Sequence, residues 1–261
     1  MEPHPPLLRA QGLDGVPGLA HGLTTRLGGT SGAPYSSLNL GLGTADDPVC
    51  VRENRTRVAQ ALGFGSLLTP YQVHGATVVD ASCLADPERP RADAVVTDRP
   101  GQLVGVLGAD CPGVLLVDPA RRALALVHAG WRGFAAGVVS SALEALGTRY
   151  GTQEADVRVL VGAAISGPHY EVDAPVLDAV RRQLPPGHDD PARRIVRPSR
   201  PGHAYLDLRA AIRMQLTALG VPSTQIEVQA SCTFADEARF FSHRRDGATS
   251  GRHALVAGWL E

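Results

Sequence analysis

The chain has 261 residues, with 25 Lys+Arg against 26 Asp+Glu, a formal charge of −1, and 44% hydrophobic and 5% aromatic residues. All 25 basic residues are arginine, which excludes a lysine Schiff base, a lysine general base and a Walker-type phosphate loop. The balanced charge speaks against a nucleic-acid or membrane-surface binder, and no apolar run reaches the ~18 residues of a membrane span.

Residues 1–17 are expected as a flexible N-terminal segment, and Met1 to Ala10 lacks the continuous apolar stretch of a secretory signal. Thr25 to Gly43 is glycine-rich and reads as an ordered loop with positive-φ turns. Asp86 to Arg91 and Pro185 to Gly202 read as exposed loops. Between them, Ala94 to Thr97, Leu103 to Leu107, Val114 to Val117 and Ala123 to Val127 are short apolar or β-branched runs that predict strands. Gly133 to Leu146 predicts a helix with Phe134, Val138, Ala142 and Ala145 on one face. Val157 to Val161 predicts a strand and Ala174 to Leu184 a helix. Asp207 reads as the N-cap of a helix ending at Gly220. Ile226 to Ala230 and Ala254 to Trp259 supply the last strands. Helices and strands mix without regular alternation, so a single α+β domain over residues 1–261 is expected. Cys50, Cys83, Cys111 and Cys232 lack a CxxC pair or the density of a disulfide scaffold, which implies reduced thiols and a cytoplasmic protein.

Three glycine-punctuated segments hold reactive side chains at strand ends: Gln72-Val73-His74-Gly75, Ala109-Asp110-Cys111-Pro112-Gly113, and Val127-His128-Ala129-Gly130-Trp131-Arg132-Gly133. Two chemistries fit His74, Cys111 and His128. They can bind a metal with a fourth position open, thiolate and imidazole favouring zinc. Alternatively, Cys111 is a nucleophile with His128 as its base, activated by the helix start. A buried structural cysteine with hydrogen-bonded histidines is the third reading, because the separations lack a local zinc signature.

QVHG, ADAVVTDRPG, ADCPGVLLVD, HAGWRG and CTFADEARFFSHRRDGATSGR, with TTRLGGTSGAPYSSLNLGLGTADDP and ENR near the N-terminus, together resemble the YfiH-like family. These are laccase-domain proteins, once described as polyphenol oxidases and now as zinc-dependent purine nucleoside phosphorylases. The resemblance runs in order from about Gly22 to Trp259. It implies an α+β domain of mixed β-sheets flanked by helices, with zinc on His74, Cys111 and His128. It also implies phosphorolysis of adenosine, inosine and methylthioadenosine, with adenosine deamination as a further activity. The implied partners are a small-molecule purine nucleoside and phosphate, for a monomer or homodimer. The zinc-deaminase signature HxE followed by PCxxC is absent. The chain departs from the family pattern at Gly162 to Val172, where His169 stands near a missing cysteine, and at Ser242-His243-Arg244-Arg245 and Ser250-Gly251-Arg252.

Within this resemblance Cys111, His128 and Arg132 are assigned to catalysis, and Arg26, Arg55, Arg244 and Arg252 to substrate binding. Arginine offers phosphate a planar bidentate fork. Asp110 reads either as an acceptor behind a ligand or as a turn residue, and Cys232 as approaching the site or packed. Phe240 and Phe241 favour the core over a stacking wall. His169, His188, His203 and His253 have no constellation around them. Rival activities are a Cys-His hydrolase editing peptidoglycan precursors, a copper-dependent phenol oxidase, and a partner-binding module whose zinc is structural.

Overall fold

A computed structural model describes residues 4–85, 88–186 and 195–261. The apolar runs in the middle of the chain become strands that are buried on both faces, because they lie between layers. Strand β7 (Gly113–Asp118) shows the pattern. Leu115 and Val117 enter the contact with a second sheet, whereas Val114 and Leu116 pack toward helices. The period of two with apolar neighbours on both sides produces an unbroken hydrophobic run instead of an alternating one.

The six-stranded sheet is ordered β13 (Ile226–Val228), β9 (Arg158–Val161), β7, β8 (Ala123–His128), β5 (Ala94–Thr97) and β4 (Val78–Asp80). Its inner pairs are antiparallel and its two outer pairs parallel. The five-stranded sheet is ordered β1 (Leu7–Leu8), β2 (Leu19–Thr24), β14 (His253–Trp259), β6 (Leu103–Gly108) and β3 (Leu67–Leu68). Leu255 of β14 pairs in register with Leu23 and Val106, and all three join Leu115 and Leu126 between the sheets. A small third sheet holds β10 (Glu171–Asp173), β12 (His203–Leu206) and β11 (Val196–Pro198).

Helix α1 (Pro48–Ala61) covers the outer face of the five-stranded sheet through Val58 and Ala59. On the far side, α3 (Val138–Tyr150) and α5 (Leu208–Ala218) cover the six-stranded sheet. The remaining helices, α2 (Trp131–Ala135), α4 (Ala174–Arg181) and α6 (His243–Asp246), are short. The result is the expected α+β domain with helices flanking mixed sheets.

Several details differ from the sequence reading. The helix expected over 133–146 starts at Trp131 and breaks, because Gly137 takes φ +86°, outside the helical region. Asp207 does cap α5, accepting from the N–H groups of Arg209 (3.0 Å) and Ala210 (3.2 Å). Within the N-terminal stretch, Leu7–Leu8 pair with β2 and Ala10, Leu13 and Val16 are buried. Residues 187–194 of the proline-rich stretch lie outside the described residues, and β11 occupies part of the rest. Phe240 and Phe241 are fully buried, as core packing requires.

The glycine-rich loop at Thr25 to Gly43 is ordered by α1. Asn54 donates to the Ser37 and Asn39 carbonyls (3.1 and 2.9 Å) and accepts from the Thr30 N–H (2.8 Å). The next residue, the buried Arg55, donates to the Leu40 carbonyl (3.0 Å), the Leu67 carbonyl (2.8 Å) and the Thr69 hydroxyl (3.1 Å). Burial, with Arg89 nearby, pushes its guanidinium down to about 10. Removing it strands three buried acceptors. Arg55→Ala is therefore expected to cost about 2–4 kcal/mol of folding stability in denaturant unfolding, with metal content per folded molecule unchanged.

Candidate metal centre

The chain crosses from one sheet to the other between β6 and β7, and Cys111 lies in that crossing. His128 is the last residue of β8, in register with Gly113. His74 sits in the connection from β3 to β4. The fold thus gathers the three candidate ligands at one end of the strands, and their ligand atoms all lie within 4.8 Å of one another. The imidazole centroids of His74 and His128 are 4.8 Å apart, ring edge to ring face.

Two buried carboxylates hold this arrangement. Asp93, just before β5 and fully buried, accepts from the backbone N–H groups of Val73 (3.1 Å), His74 (3.0 Å) and Gly75 (2.7 Å). It also pairs with Nδ1 of His128 at 2.8 Å, which leaves Nε2 for the cluster. Asp110 accepts from the Thr233 hydroxyl (2.6 Å), the Ser242 hydroxyl (3.0 Å) and the Arg244 N–H (2.6 Å). His74 (φ +60°) and Asp110 (φ +90°) both occupy the left-handed region, a strained conformation these surrounding bonds stabilise. Asp110 is therefore a clamp for the C-terminal loops beside Cys111.

Electrostatics separate the thiol from the imidazole. Burial alone would raise the Cys111 thiol, but hydrogen bonds and charge from His128 and His74 pull it down to about 6. Burial alone would lower His128, but Asp93 and Cys111 hold it up at about 9. Without metal, the pair is a thiolate beside an imidazolium at neutral pH. The donors suit a borderline-soft divalent ion. Space fits as well: a Cβ at Gly130 would stand 2.8 Å from Cys111 Sγ and 3.1 Å from His74 Nδ1, so the floor of the cluster requires glycine.

The cluster lies in the wall between two cavities. One, about 340 Å³, is lined by His74, Cys111, His128, Tyr71, Arg89 and Arg252, among others. The other, about 270 Å³, is lined by His74, Cys111, Trp131, Arg132, Tyr170 and Arg244, among others. His243 lines both. Arg132 stacks on Trp131 (4.4 Å) and Arg244 on Tyr170 (5.2 Å), with Arg244 also donating to the Glu171 carbonyl (3.2 Å). Arg252 donates to the Ser250 and Gly251 carbonyls (2.6 and 2.9 Å).

Arg26 and Arg55 are not brought to the cavities. Arg26 donates to the Ser36 and Glu237 carbonyls and lies over the Phe241 ring, and Arg55 is enclosed beneath α1. Both guanidiniums are taken up by backbone carbonyls of the loops they tie down. Asp93, within the quoted ADAVVTDRPG segment, escaped the sequence reading. Its signal was an aspartate directly before a buried apolar strand.

The family described as multi-copper polyphenol oxidoreductase laccase matches residues 20–260. The chain belongs to this family. It is 40% identical over 254 residues to the purine nucleoside phosphorylase YlmD of Geobacillus stearothermophilus, covering 94% of this chain and 91% of that protein. It is 41% identical over 244 residues to the purine nucleoside phosphorylase Rv2149c of Mycobacterium tuberculosis, covering 91% and 90%. The crystal structure of YlmD superposes with a TM-score of 0.92 at 37% identity, covering 100% of this chain and 98% of that one. That of YfiH from Bacillus licheniformis superposes with a TM-score of 0.90 at 32% identity, covering 98% and 97%. The fold is thus the YfiH-like fold of the laccase-domain family.

Two consequences can be measured. Asp93→Asn should weaken metal binding by about 10–100-fold in a competitive chelator titration, because the amide cannot accept from all four donors. Metal loading must also displace the His128 proton, whereas Cys111 is already ionised. Apparent affinity should therefore rise by about tenfold per pH unit from about pH 7 to 9 and level off above. A flat profile over that range would contradict the thiolate–imidazolium pair.

Proposed function

We propose that the protein is a zinc-dependent purine nucleoside phosphorylase. In this reading it cleaves adenosine, inosine and methylthioadenosine with phosphate to free base and ribose 1-phosphate, with adenosine deamination as a further activity of the same centre. The observation that carries the reading is the ligand cluster standing in the wall between two arginine-bordered cavities. Relatives at 40–41% identity that bear the name purine nucleoside phosphorylase support it.

His74 Nδ1, Cys111 Sγ and His128 Nε2 would hold the ion, which when bound supplies Lewis acidity beside the reacting groups. Arg132 and Arg244 then serve the phosphate, since each presents a planar fork positioned by an aromatic face. Tyr170 lines the same cavity as a phenol, kept protonated by burial and by the Cys111 charge, and can donate to an oxyanion. In the other cavity Tyr71, flanked by Arg89 and Arg91 at 5.9 and 5.5 Å, offers a face for a purine, and Arg252 closes the rim. Asp93 fixes the His128 ring so that Nε2 keeps its direction.

The decisive assay incubates the protein with zinc and a nucleoside panel, with and without phosphate. Release of adenine or hypoxanthine only when phosphate is present is the expected result, and intact nucleoside in both arms would refute the reading. Arg132→Ala and Arg244→Ala should each raise the KM for phosphate by about tenfold or more, with a smaller change in the KM for nucleoside. Cys111→Ala should lose metal and activity together. Turnover that persists in chelator and is abolished by thiol alkylation would instead favour the Cys-His hydrolase.

A further inference from the structure

A second group of reactive side chains lies outside the metal centre. Cys232 follows β13 and bridges in parallel to Ala164, which brings it against the Ser166–His169 turn. Its Sγ accepts from the Ser166 N–H at 3.3 Å and stands 3.6 Å from His169 Nδ1. Ser166 Oγ is 3.1 Å from the same nitrogen. Phe234 packs against the His169 ring with centroids 5.1 Å apart, which fixes its orientation. Cys232, Ser166 and His169 are all partly exposed. This pairing corrects the expectation that His169 stands without a constellation.

We propose that Cys232 is a modification site for small disulfides and soft electrophiles, with His169 Nδ1 receiving the thiol proton. The sulfur lies between two partners, the Ser166 N–H that bonds it and the His169 Nδ1 beside it. Burial pushes the thiol up, but hydrogen bonds, those of Ser166 foremost, outweigh it and hold the group below its ordinary range. A thiolate so stabilised and still reachable is the state that reacts. In the reaction the Cys232 thiolate attacks one sulfur of a disulfide and a new S–S bond forms. The original S–S bond breaks, its electron pair leaves on the departing thiolate, and that thiolate takes up the proton held at His169. No further oxidant is required.

The site also reaches the metal centre. Thr233, the next residue, donates to the Asp110 carboxylate that braces the turn beside Cys111. Its N–H bonds the Ala164 carbonyl (3.1 Å), and Ile165 bonds the Asp110 carbonyl (3.0 Å). Cys232 is therefore one residue from the strap that holds the turn beside Cys111.

The test is peptide-resolved mass spectrometry of the zinc-supplemented protein treated at pH 7 with limiting iodoacetamide and, separately, with oxidised glutathione. Cys83 is exposed and serves as the internal reference. Cys232 should be alkylated about fivefold faster than Cys83 despite being less exposed, and should carry the mixed disulfide first. His169→Ala and His169→Gln should each bring its rate down to that of Cys83. Labelling of Cys232 no faster than Cys83 in the unmodified chain would overturn the proposal, whether or not the variants fold. So would an unchanged rate in a folded His169 variant.

Discussion

One buried carboxylate governs the geometry of the centre. Asp93 takes three consecutive backbone N–H groups from the His74 loop and the Nδ1 of His128. A charged acceptor with four donors around it is adequately solvated by the protein, so its full burial is tolerated. The same contacts fix a loop residue in a left-handed conformation and a strand-end imidazole in one orientation. Two of the three candidate ligands are therefore positioned by a residue outside the cluster.

Asp110 plays the parallel part for the rest of the site. It connects the Cys111 turn to Thr233, Ser242 and Arg244, and so gives the second cavity its arginine-bearing wall. The separation of tasks explains how charge is distributed. The acids lie inside, satisfied by donors, and the arginines that border the cavities are positioned by carbonyls and aromatic faces. With no lysine in the chain, every strong cation near the centre is a guanidinium, whose planar fork favours directional contact with an oxyanion over a diffuse point charge.

Much of this was legible in the sequence where one physical signal dominates. Central strands announce themselves because burial on both faces demands apolar runs, and Ala94–Thr97 was read to the residue. Helix α1 was not read, because its apolar face is narrow and it places Asn54 and Arg55 on its buried side. The break at Gly137 was missed because the apolar spacing continues across it. Among functional residues, His74, Cys111 and His128 stood out as reactive side chains in glycine-rich turns. Asp93 did not, since its only local signal is its place directly before a buried strand, and its partners lie 18–35 residues away. Arg26 and Arg55 show the converse: a motif arginine can be there to bind carbonyls, and only tertiary context separates the two uses.

The place of Cys111 has a further meaning. It lies in the link through which the chain passes from the five-stranded to the six-stranded sheet, and His128 ends a strand in the middle of the second sheet. Both are flanked by strands of a close-packed sandwich, where small displacements are resisted strongly. The three candidate ligands are thus already gathered by the sandwich, their ligand atoms within 4.8 Å of one another. A frame of this kind would select among metals by fixed size and ligand direction, so that a mismatched ion would have to accept poor geometry.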